Sequence, residues 1–328
     1  METKALKRLG GGALALTLAT GLLVHPARAQ TQDVTVFQAF QSIQYLPLYV
    51  AIDEGIYAKN GLNVRKVTAG SGAAGVAAVI GGHADFSLQD PMTAVLADKK
   101  GASVISIAMV VNGVPVWIIT PPHSSVQTLS DLSGKTVSTA LAPSTSTYLL
   151  QRLLKQKEMS STSVQQVQIG TELAPVAAGR AAAAALYEPQ VDEGIASGYK
   201  PVYSFATQYP GGYAFSVFDT LASTIKDKPK MVQAFVTSTN EAEALIYKSP
   251  ATARTVAEKE FPSLPKAVVD NAVDRLISQH VYPASADISP ASFQNALALQ
   301  VFVGNVKPGT VSYAQSVDDA FAKAARHQ

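Results

Sequence analysis

Apolar positions in this chain fall into two recurring patterns, short extended runs and helical faces. Residues 34–40 (VTVFQAF) read as a strand. After a polar loop, Leu48, Ala51 and Ile52 share one helical face behind Pro47, a residue suited to a first helical turn. Gly55 ends that helix, Asn60-Gly61 supplies a left-handed turn, and Leu62, Val64 and Val67 begin a second extended segment. Two strands joined through a helix are expected to be parallel with a right-handed crossover. The loop at 38–46 then lies at the carboxyl edge of the first strand, where open α/β sheets bind ligands.

The same grammar continues. A glycine-opened helix at 70–82, a strand at 84–88, a helix from Asp90-Pro91 to about residue 99 and a buried-type strand at 103–111 follow in order. The run at 114–120 reads as a further strand, antiparallel or crossing between lobes, and the proline- and serine-rich stretch 121–135 leads into a second lobe. There, strands at 136–140 and 164–169 flank a helix at 147–157, and a helix at 173–179 precedes the apolar run 182–186 and a helix opened by Glu188-Pro189. GHADFSLQDP in the first lobe and GRAAAAALYEP in the second share one order: glycine, small apolar strand, acid, proline, helix. The chain is expected to return to the first lobe near 213–220 and to close with helices at 231–247, 249–260, 266–279, 292–300 and 313–325. With crossings near 117–121 and 208–213, the pattern predicts two doubly wound α/β lobes with a ligand cleft between them, closing by hinge motion.

The N-terminus changes the charge argument. Lys4, Lys7 and Arg8, an apolar run at 11–24 and Ala27-Arg28-Ala29 predict a signal peptide over 1–29, cleaved after Ala29. The apolar run is short of the ~20 residues that span a bilayer. The whole chain carries 26 basic and 24 acidic residues, whereas the part after Ala29 carries 22 and 23, so the slight basicity belongs to the leader. No basic stripe supports nucleic-acid binding. The chain has no cysteine, which excludes disulfides, thiolate chemistry and a lipidated N-terminal cysteine. An exported chain of this kind is expected in a periplasm.

GSGAAG at 70–75 matches the dinucleotide pattern, with Asp90 twenty residues beyond its first glycine. It follows the second strand instead of the first, and no hydride-transfer constellation accompanies it. Its free N–H groups suit an anionic or polar ligand group. The histidines, at 25, 83, 123, 280 and 327, form no metal spacing, and no G-x-S-x-G elbow is present. Tyr187-Glu188 suits a ligand contact, and Glu188 equally suits a helix cap; Asp90 carries the same two readings.

The stretches PLYVAIDEGIYAKNGLNV, AGSG, GGHADF, DLSGKTV and ALYEP resemble the periplasmic solute-binding proteins of the nitrate/sulfonate/taurine ABC-importer family, whose superfamily includes binders of thiamin pyrimidine precursors. The resemblance runs from about residue 34 to 189. It implies a type II periplasmic-binding-protein fold, with lobe one at 30–120 and 213–328 and lobe two at 121–212. It also implies a small ligand passed to a permease and its ATPase, a monomer, and no cofactor or metal. The expected ligand-facing residues are Gln38, Phe40, Ser42, Gln44, Tyr45, Ser71, Gly72, Gln89, Asp90 and Asn112 from lobe one, and Ser144, Thr145, Tyr187 and Glu188 from lobe two, with Trp117 a candidate wall residue. Sulfonate, taurine, nitrate and pyrimidine-like ligands stay open. Where relatives carry an aspartate after the lobe-two glycine, this chain has unbroken alanines at 181–185. The alternatives are an enzyme like the pyrimidine synthases of the superfamily, whose cysteine-rich segment is missing here, and a nucleotide-binding oxidoreductase.

Overall fold

The computed structural model describes residues 1–2, 31–98 and 101–326. The expected signal peptide therefore lies almost wholly outside the described residues. Strand β1 (Gln32–Gln38) leads through a 3-10 turn (Ile43–Tyr45) into α1 (Leu46–Asp53), α2 (Ile56–Lys59) and β2 (Leu62–Thr68). Then come α3 (Gly72–Ile80), β3 (Phe86–Gln89), α4 (Pro91–Asp98) and β4 (Val104–Val111). The next elements are β5 (Trp117–Thr120), β6 (Thr136–Ala140), α5 (Thr145–Gln156), β7 (Ser163–Val167), α6 (Leu173–Ala177), β8 (Ala183–Leu186), α7 (Gln190–Ala196) and β9 (Lys200–Ser204). The chain ends with β10 (Ser216–Leu221), α8 (Ala222–Asp227), α9 (Pro229–Lys248), α10 (Pro250–Glu260), α11 (Lys266–Ser278), α12 (Pro290–Phe302), α13 (Tyr313–Ser316) and α14 (Ala320–Ala325).

These strands form two five-stranded sheets with the same plan, β2-β1-β3-β10-β4 and β7-β6-β8-β5-β9. In the first, β1 pairs parallel with β2 and β3, while β10 runs antiparallel between β3 and β4. In the second, β6 pairs parallel with β7 and β8, while β5 runs antiparallel between β8 and β9. Each sheet's antiparallel strand is thus the one that has just arrived from the other sheet. The crossings fall at 112–116 and 205–215. The sequence pattern put the first of them at 117–121, but β5 pairs wholly within the second sheet. Short isolated apolar runs do not say which sheet they join.

Other differences have local causes. Gly55 (φ +67°) caps the short helix α2 as well as ending α1. β9 is an edge strand with two exposed residues, so it lacks an apolar run. The predicted terminal helix breaks at Val317, which bridges to Ser106 on the edge of the first sheet. In the core beneath that sheet, Phe235 of α9 stacks on Phe86 (4.0 Å) and Tyr57 (5.0 Å) and meets Phe218 edge-on (4.8 Å). This packing fixes β3 against β10, and so holds Gln89 opposite Val217 at the sheet's ligand-facing end. Among the described residues, no helix is long and apolar enough to cross a membrane.

Candidate functional site

Parallel strands that all point one way deliver their following loops to one edge. Both sheets do this toward each other, and a cleft of about 920 Å³ lies between the two loop sets. From the first sheet come Phe40 after β1, Ser71 and Gly72 after β2, and Gln89 and Asp90 at the end of β3. The second contributes Leu141, Ser144 and Thr145 after β6, Ile169 after β7 and Tyr187 after β8. β10 runs the other way, so its beginning, Phe215 and Ser216, reaches the same space. Gln300 and Asn305 at the end of α12 complete the wall.

Asp90 sits where the two sides meet. Its Oδ1 accepts from the Met92 N–H at 2.8 Å, which caps α4, and its Oδ2 accepts from the Thr145 hydroxyl at 2.8 Å across the cleft. Asp90 therefore caps α4 and also lines the cleft. The side chain keeps partial contact with the cleft, yet the dense protein around it removes most hydration, and this burial raises its pKa to about 6 against the pull of those two hydrogen bonds. Behind it, the fully buried Asp219 accepts from the Ser106 hydroxyl (2.5 Å) and from the Gln89 amide nitrogen. Burial raises Asp219 well above the usual carboxylate range. With its nitrogen committed to Asp219, Gln89 is left with an Oε1 that is buried and has no partner.

Tyr187 and Tyr45 form part of the wall. The Tyr187 hydroxyl accepts the Ser146 N–H at 2.9 Å and pairs with the Ser144 hydroxyl at 3.0 Å, so it fills the start of α5. Tyr45 stacks on Phe40 at 5.8 Å. The glycines of GSGAAG serve close packing: a Cβ on Gly72 would lie 3.1 Å from the Gln89 Cβ, and one on Gly75 would lie 3.3 Å from the Gln89 Oε1. They let α3 approach Gln89, while Ser71 caps α3 by accepting from the Ala74 N–H at 3.1 Å.

Of the expected residues, Phe40, Tyr45, Ser71, Gly72, Gln89, Asp90, Ser144, Thr145 and Tyr187 line the cleft, while Gln38, Ser42, Gln44, Asn112 and Glu188 do not. Gln38 is committed to Thr68 and Tyr49, at 2.9 and 2.8 Å, and ties β1 to its surroundings. Ser42 caps the 3-10 turn, and Gln44 is buried beneath it. Asn112 packs against Gly212 at the crossings. Glu188 accepts the Asp192 N–H at 3.1 Å and pairs with Arg275 at 2.7 Å, so capping and an ion pair account for it. Trp117 is buried, with the Arg275 guanidinium 6.0 Å above its ring, and does not line the cleft either.

What the residue patterns missed is mainly apolar: Ile80, Leu96, Leu141, Ile169 and Phe215. Leu141 and Ile169 immediately follow β6 and β7, so the strand-end rule that found Gln89 and Asp90 would have found them too. Gln300 and Asn305 had no local signal.

Residues 42–253 match the family described as NMT1/THI5 like. The chain belongs to that family. It is 22% identical over 256 residues to the Bacillus subtilis (strain 168) protein named "Putative binding protein YtlA", covering 76% of this chain and 77% of that one. Its fold is similar to the alkanesulfonate-binding protein SsuA from Xanthomonas axonopodis pv. citri bound to MOPS, with a TM-score of 0.69, 18% identity, and 89% of this chain and 100% of that chain covered. The desulfurization enzyme DSZB has the same fold at a TM-score of 0.70 and 12% identity, over 90% of this chain and 100% of that one. The family's type II periplasmic-binding-protein fold is thus the fold of this chain, two α/β lobes around a cleft.

Proposed function

We propose that this protein is the exported solute-binding component of an ABC importer, which clamps one small molecule between its lobes and presents the closed form to a permease. The observation that carries this reading is the cleft itself, walled from both sheets and spanned by the Asp90–Thr145 hydrogen bond. A ligand that touches both sides adds contacts only when the lobes are together, and so favours closure. The lobes are taken as 31–111 with 216–326, and 117–204, following the sheets. Membership of a family with binding-protein relatives, and a fold shared with a periplasmic sulfonate binder, support the role and the compartment.

DSZB shows that the fold also houses catalysis. Against an enzyme here, the described residues of the cleft wall offer no histidine or lysine as nucleophile or base, the chain has no cysteine, and the one carboxylate among them is held by a helix cap and a hydroxyl. One experiment separates the readings. The purified protein is incubated with a metabolite extract, washed and denatured, and released molecules are identified by mass spectrometry. About one unaltered molecule per chain is expected, lost in Ala73→Trp, which fills the cleft from an exposed position. Release of a chemically changed product instead would favour catalysis, and an empty cleft would end the transport reading.

A further inference from the structure

The chemistry of the cleft narrows its occupant. Three helices begin at the cleft, and each beginning already holds one of the protein's own acceptors. Ser71 Oγ meets the Ala74 N–H of α3, Asp90 Oδ1 meets the Met92 N–H of α4, and the Tyr187 hydroxyl meets the Ser146 N–H of α5. At each start one of the N–H groups that would draw an anion is thus answered internally. Among the described residues no lysine, arginine or histidine lines the wall, so none of them supplies a cation to hold a sulfonate or carboxylate. What the wall does offer is an acceptor, the Asp90 carboxylate, with Gln89 held beside it by Asp219. Aromatic rings of Phe40, Tyr45, Tyr187 and Phe215 stand around the same space, and ring faces attract cations.

The remainder of the wall is apolar in an unusual way. Apart from Met1, the large apolar side chains left exposed among the described residues are Ile80, Leu141 and Ile169, at 47%, 53% and 39%, and all three line this cleft. A soluble surface that concentrates its exposed apolar side chains in one concavity marks the seat of an apolar partner.

Resting on the solute-binding reading above, we infer that the ligand is an organic ammonium or amidinium ion with an apolar alkyl or aryl body. The charged head lies at Asp90, and the body lies along Leu96, Ile80, Leu141 and Ile169. This departs from the MOPS-bound sulfonate binder of the same fold, whose ligand carries a sulfonate.

The test is isothermal titration of the purified protein at neutral pH with matched probes: octylammonium, octanesulfonate and octanol, then phenethylammonium, phenylethanesulfonate and phenethyl alcohol. The ammonium is expected to bind at least about tenfold more tightly than the sulfonate of the same body, because only the ammonium pairs with Asp90. Asp90→Asn should remove most of that preference and leave the alcohols nearly unchanged. Leu141→Ser combined with Ile169→Ser, at exposed positions that do not hold the core, should weaken every probe that binds. A sulfonate that binds as tightly as its ammonium would overturn this ligand class while leaving solute binding intact. Failure of all six probes would also overturn it, and recovery of a molecule in the extract experiment would then show that solute binding itself survives.

Discussion

Asp90 carries the chemistry that is most sensitive to pH. In the unfolded chain its carboxyl has the ordinary value of 3.8, and burial raises the folded value to about 6. The groups that feel its charge are Asp219, Tyr45 and Tyr213, none of them cationic, so only the hydrogen bonds from Met92 and Thr145 oppose the penalty. The sign follows from proton uptake. Between the two pKa values the folded protein binds more protons than the unfolded one, so acidification from about pH 6 toward pH 4 favours folding, and above pH 6 the penalty is present in full. At about 1.4 kcal/mol per unit it amounts to roughly 1–3 kcal/mol at neutral pH. Asp90→Asn keeps an acceptor for the Met92 N–H and removes the charge. The ligand-free variant is expected to melt higher than the wild type at pH 7.5, with the gap closing by pH 4; equal melting curves at both pH values would contradict the origin given for the shift. The place of Asp90 at a strand's end before Pro91 made a cap and a ligand contact both readable, and the cap is observed. Glu188 has the same local signature. Its fate was not readable, because Arg275, which claims it, comes from a helix far along the chain.

At the scale of elements, α11 and α7 are joined by that ion pair. The Arg275 Nε lies 2.7 Å from Glu188 and its Nη2 2.7 Å from Asp192, two carboxylates that are 1% and 2% exposed. Burial and the neighbouring Asp192 charge push the Glu188 pKa well up, and Arg275 opposes both. Arg275→Met therefore leaves two buried acids facing each other without a counter-charge. Loss of one partner from such a group costs about 3–5 kcal/mol. Urea unfolding at pH 7.5 should show a loss of that order. The loss should shrink at pH 5, because Glu188, left unpaired, has a folded pKa above its unfolded one and takes up a proton on folding. A pH-independent loss would instead point to packing against Trp117. Most helices here were legible because their apolar stripes recur at helical spacing, as in α5, where Leu149, Leu150, Leu153 and Leu154 are buried together. The sheet that β5 joins and the break at Val317 were not, since both depend on which distant strand supplies the hydrogen bonds.

For the molecule as a whole, the two-lobed plan was visible because one strand–helix pattern occurs twice. The character of the cleft was not, because Ile80, Leu141 and Ile169 look like core residues until the sheets place them at an open edge. The relation between the lobes rests on the two crossing segments, which touch. Asn112 leaves the first sheet with its N–H on the Val281 carbonyl at 2.9 Å, while Gly212, on the returning segment, holds φ at +83° and gives its carbonyl to Asn295 at 2.7 Å. A Cβ on Gly212 would lie 2.5 Å from the Asn112 Oδ1, so alanine there meets two separate obstacles. The left-handed backbone costs a non-glycine residue about 1–2 kcal/mol wherever it occurs. The clash adds to this and exists only while Asn112 keeps its side chain. Gly212→Ala is thus expected to lower stability by more than the backbone cost, and Asn112→Ala, which also removes an unpaired buried oxygen, to be mild. In the double variant the clash disappears and the backbone cost stays, so a thermal-denaturation cycle should show favourable coupling between the two changes. Strict additivity would mean that the Asn112 side chain swings aside without cost and that the clash contributes nothing.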